Sequence, residues 1–124
     1  MKKISIILFL TLSVSAQSDS TPPELTYFNF NPDTLDITNA DSNFTATIGF
    51  KDNLSGVNPS INIGYSLPNG STVSSGINLS GVQEGALSDT GSYELNFNRY
   101  SKQGDLLITS ISIRDKVGNT TNYD

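Results

Sequence analysis

The sequence predicts an all-β protein, an antiparallel two-sheet sandwich of seven or eight strands. Three observations carry this. Apolar residues alternate with polar ones in short runs; the runs recur at intervals of about 8–12 residues between clusters of Gly, Asn, Asp and Pro; and no window offers a helical face. A closed barrel is the competing architecture.

The first 16 residues stand apart from that pattern. Lys2 and Lys3 precede an apolar run from Ile4 to Val14, and the small-residue triplet Val14-Ser15-Ala16 follows. This predicts a signal-peptide helix over residues 1–16, removed before Gln17. A run of 11 residues is short of the roughly 18 needed to span a bilayer. The expectation is therefore export to the cell surface or the medium, with no membrane insertion after cleavage. Residues 17–24 contain Ser, Asp, Thr and Pro22-Pro23 and read as an extended linker, and 25–124 as one domain.

Leu25 to Phe30 and Leu35 to Ile37 form short apolar runs. Phe44, Ala46, Ile48 and Phe50 share one face, and so do Ile61, Ile63, Tyr65 and Leu67. Pro68-Asn69-Gly70-Ser71 supplies a reversal, because Asn-Gly accepts positive φ. Weaker runs follow at Thr72 to Ser74 and Ile77 to Ser80. Ser88-Asp89-Thr90-Gly91 reads as a turn into Tyr93, Leu95 and Phe97. Leu106 to Arg114 is a strong strand, and Lys116 to Asn119 reverses the chain into Thr120 to Tyr123. Leu106 and Ile108 have a parity that Ile111 and Ile113 do not share, so a β-bulge near Thr109-Ser110 is predicted to turn all four toward the core.

Composition excludes much chemistry. The chain has no His and no Cys, which removes Ser-His-Asp and Cys-His nucleophiles, zinc fingers and disulfides. Past residue 16, Lys51, Arg99, Lys102, Arg114 and Lys116 face all 12 carboxylates, a balance that disfavours nucleic acid. An exported chain without Cys fits a bacterial origin better than a small eukaryotic one.

Three segments carry a resemblance: Thr21-Pro22-Pro23-Glu24-Leu25, Asp52-Asn53-Leu54-Ser55-Gly56-Val57 and Asp115-Lys116-Val117-Gly118-Asn119. In order and separation, over residues 19–124, they resemble bacterial immunoglobulin-like domains of surface and secreted proteins. The resemblance implies an immunoglobulin-like sandwich that stands beside adhesion, repeat or enzyme modules. Two readings of the acidic turns follow. In the local one, Asp52 and Asp115 accept backbone amides in Asx-turns while Gly56 and Gly118 take left-handed conformations. In the other, the B–C and F–G loops of the immunoglobulin sandwich that the resemblance implies share a pole, where Asp52 and Asp115, with Asp19 from the linker, offer the oxygen ligands that Ca²⁺ requires.

Other motifs weigh less. Asp89-Thr90-Gly91 imitates an aspartic protease, but the motif occurs once and too little chain follows it for the rest of such a subunit. Glu84 and Glu94 fall at solvent-facing parity rather than as a glycosidase pair. Of the tyrosines, Tyr65 and Tyr93 are expected to pack inward with hydroxyls at the rim, and Tyr100 to bond back to backbone as a corner residue. Asn43, Asn53, Asn69, Asn78 and Asn119 begin Asn-x-Ser/Thr triplets, which a chain rich in these residues produces by chance. The expected role is a non-catalytic module for adhesion or spacing, with no cofactor other than Ca²⁺. Its expected partners are a surface ligand or neighbouring domains. The alternative is a calcium- or carbohydrate-binding accessory module of an exported protein.

Overall fold

The computed structural model describes residues 17–124; the expected signal peptide lies outside the described residues. Seven strands follow in order: β1 (Glu24–Asn31), β2 (Ser42–Lys51), β3 (Ser60–Ser66), β4 (Thr72–Asn78), β5 (Ser88–Phe97), β6 (Leu107–Arg114) and β7 (Thr120–Tyr123). They form two antiparallel sheets, one of order β1-β2-β5 and one of order β4-β3-β6-β7. No helix occurs among the described residues.

The alternation read from the sequence decides which side chains meet between the sheets. Ile48 and Phe50 from β2, Ile61 and Ile63 from β3, Ile77 from β4, and Ile111 and Ile113 from β6 form one buried cluster. Each such side chain contributes roughly 1.5–3 kcal/mol by leaving water. β6 reaches this cluster through its bulge. Gly64 pairs with Ser110, and Tyr65 with Ile108, which leaves Thr109 as the extra residue and turns Ile108 to the same side as Ile111 and Ile113. Gly64 is needed opposite the bulge, since a Cβ there would stand 2.8 Å from Thr109 Oγ1.

Four local expectations are corrected. Leu35 to Ile37 is not a strand, because Asp36 Oδ1 accepts the Thr38 N–H at 2.9 Å and diverts the backbone from ladder geometry. Ser88 to Gly91 is not a turn but the first part of β5, pairing with β2 from Lys51 to Ile48. The two weak runs at Thr72 to Ser74 and Ile77 to Ser80 are one strand, β4, ending at Asn78. Tyr100 is 81% exposed and bonds Arg99, whereas Tyr123 takes the back-bonding role, its Oη accepting the Leu25 N–H at 2.9 Å.

Candidate metal centre

Two of the three aspartates singled out in the sequence lie one residue past the ends of strands. Asp52 follows β2 and Asp115 follows β6, so the antiparallel sandwich delivers both to the same pole. The loops that hold them are stitched together: Val57 pairs with Asp115, Lys116 N–H donates to Gly56 C=O at 2.9 Å, and Asn58 N–H donates to Arg114 C=O at 2.9 Å. The segment ahead of β1 crosses the same pole and brings Asp19. One oxygen from each of Asp19, Asp52 and Asp115 lies within 4.8 Å of the other two.

Three carboxylates so close repel one another, and backbone amides offset part of that repulsion. Asp115, fully buried, accepts the N–H groups of Val117, Gly118 and Asn119 on Oδ1 and the Asn119 side-chain amide on Oδ2. Asp52 accepts Gly56 N–H at 2.6 Å and Leu54 N–H at 3.2 Å, both on Oδ2. Asp19 accepts Thr21 N–H on Oδ1 and Ser55 N–H on Oδ2. The Thr21 amide above all, helped by Ser55 against some desolvation, holds the Asp19 carboxyl below its ordinary range. One atom stands outside these arrangements. Asp52 Oδ1 is buried and accepts no hydrogen bond.

The glycines make these turns possible in different ways. Gly56 has φ +79° and lies so close to the Gly85 backbone that any Cβ would collide with it. Gly118 has φ +103° but open space around it. Asn119, expected only as a turn residue, also donates from its side chain to the Asp19 carbonyl at 3.2 Å. Ser55 and Asn119 thus tie Asp19 to both loops. Neither link was foreseeable from local motifs, since the partners lie 36 and 100 residues apart.

The remaining candidates fall elsewhere. Asp89 accepts the Gln83 and Thr90 amides, which keep its carboxyl below the usual range, the Gln83 bond contributing most. Glu84 is exposed in the β4–β5 connection, and Glu94 is exposed on β5. Tyr65 and Tyr93 are half-buried and line an open cleft of about 470 Å³ between the sheets, with Phe97 and Lys102. Comparison with protein-family models, with curated proteins and with solved structures finds no match to the chain.

Proposed function

We propose that the chain is a non-catalytic, immunoglobulin-like module of an exported bacterial protein, an adhesion or spacer unit whose acidic pole binds calcium. The carrying observation is Asp52 Oδ1, a buried carboxylate oxygen with no hydrogen-bond donor, within a cluster that already gathers two other aspartates. A buried anionic oxygen without a partner is costly, and a hard divalent cation is the partner that oxygen-only surroundings favour. Asp19, Asp52 and Asp115 would supply the carboxylates, and neighbouring carbonyls and water the rest. Calcium bound there would supply the positive charge that the amides only partly provide.

Other features support the module reading. The strand order places β2 and β5 in one sheet and β3 and β6 in the other, as in immunoglobulin-type sandwiches. The sequence has no His or Cys, and Glu84 and Glu94 are both exposed, one in the β4–β5 connection and one on β5.

Thermal unfolding of residues 17–124 with calcium chloride and with chelator tests the ion. An ion present at about 100 times its Kd adds about 2.7 kcal/mol, or roughly 10 °C in Tm for a domain of this size. Equal midpoints would remove calcium from the proposal. Asp52→Asn is expected to fold and to lose the calcium response.

A further inference from the structure

We propose that the free edge of β5 is a docking site for an extended peptide strand supplied by another polypeptide, which would become the fourth strand of the β1-β2-β5 sheet. This goes beyond the acidic pole and involves none of its residues.

The backbone carries the argument. β5 has β2 on one side only. On its other side the chain's own segment from Leu79 to Val82 makes a single bridge: Ser80 N–H donates to Ser92 C=O at 2.8 Å, and Ser92 N–H donates to Ser80 C=O at 3.0 Å. That segment sits close against β5, since a Cβ on Gly91 would stand 2.7 Å from Leu79 Cβ. It pairs no further. Ser92 therefore turns its N–H and C=O outward, and the two-residue alternation of an antiparallel ladder turns those of Glu94 and Asn96 outward as well. Among the described residues, neither Glu94 N–H nor Asn96 N–H has a partner beyond the sheet. The unpaired stretch runs from Tyr93 to Phe97, where β5 ends in the turn closed by Ser101 N–H on Asn98 C=O. Five extended residues span about 17 Å.

The cleft supplies the walls. Tyr93, Leu95 and Phe97 face it from β5, and Tyr65 and Leu67 from β3 and the following turn. An added strand would lay alternate side chains over these apolar groups and its other side chains in water. The occupant this selects is a peptide rather than a sugar: two outward N–H/C=O sets, two residues apart, match extended backbone, and alternate apolar positions match the wall. The outward residue opposite Glu94 is basic by charge complementarity. The Ser80 bridge shows the edge accepting one antiparallel backbone pair in that register.

The probe is acetyl-VTVKV-amide, aligned antiparallel so that its Lys lies opposite Glu94 and its Thr opposite Asn96. Titration into ¹⁵N-labelled protein, residues 17–124, is expected to shift the Glu94 and Asn96 amides and to slow their exchange with solvent. N-methylation of the peptide's Lys and Thr nitrogens should weaken binding at least about tenfold, while N-methylation of its central Val, whose N–H points away, should not. Asn96→Pro removes an outward N–H but no β2 bond, and should weaken binding by a similar factor. The proposal is overturned by equal affinity of the two methylated peptides or by no binding at millimolar peptide. It is also overturned if the edge proves to be occupied by a second copy of the chain in solution, or if an oligosaccharide shifts the Tyr65 and Tyr93 signals while the peptide does not.

Discussion

Asp115 and Asp52 occupy equivalent places, one residue past a strand, yet their surroundings give them different work. Asp115 is wholly buried and every hydrogen bond it accepts comes from its own turn, so it builds the β6–β7 connection. Asp115→Ala is expected to cost about 3 kcal/mol, read by urea unfolding, because three backbone amides and one side-chain amide lose their acceptor. Asp52 keeps one oxygen for its loop and one unpartnered, so Asp52→Asn should cost less and act mainly on the response to calcium. The two turn glycines divide in the same way. Gly118→Ala meets only backbone strain, about 1–2 kcal/mol, whereas Gly56→Ala adds a collision with the Gly85 backbone. A larger fall in Tm for Gly118→Ala than for Gly56→Ala would contradict this reading.

At the level of strands, one inserted residue decides the register of half a sheet. Deleting Thr109 would remove the extra residue and leave Ile108, Ser110 and Ile111 opposite Tyr65, Gly64 and Ile63 in plain alternation, so that Ile108, Ile111 and Ile113 would all still face the core. The expected result is a fold that still unfolds cooperatively, followed by circular dichroism, and loss of that transition would contradict the assignment of Thr109 as the extra residue. This bulge was legible in the sequence because a change of parity leaves a trace in the apolar pattern. Strands whose inward positions hold large apolar residues, such as Phe44 to Phe50 or Ile61 to Tyr65, were legible for the same reason. The first half of β5 was not. Asp89, Thr90 and Gly91 look like a turn locally, and they are held extended only by pairing with residues some 40 positions earlier and by Leu79 and Val82 packing on Gly91. The acidic pole divides likewise. Its Asx-turns follow from Asp and Gly spacing, while the donors that fasten Asp19, from Ser55 and Asn119, depend on the folded topology.

For the molecule as a whole, three depressed carboxylates contribute to the acid limb of stability. Backbone amides, from Thr21, Thr38 and Gln83 foremost, lower the carboxyls of Asp19, Asp36 and Asp89 from the ordinary 3.8. A group depressed in the folded state stabilises it fully above its unfolded value and loses that contribution as pH falls through its folded value. Tm should therefore be level well above pH 3.8 with respect to these groups and fall below it. Asp89→Asn should make that fall shallower, and a fall that begins near pH 6 would point to other groups. The exposed Lys51–Glu24 pair at 2.9 Å adds little by comparison. The fastening of the segment ahead of β1 has a consequence of another kind. Asp19 is bonded to Ser55 and Asn119, Pro23 C=O to Thr121 Oγ1, and Leu25 N–H to Tyr123 Oη. A tensile load applied upstream of Asp19 would thus be shared by the β2–β3 and β6–β7 loops and by β7 before it could peel β1 from β2, and whatever tightens the acidic pole would raise the force at which the sandwich gives way.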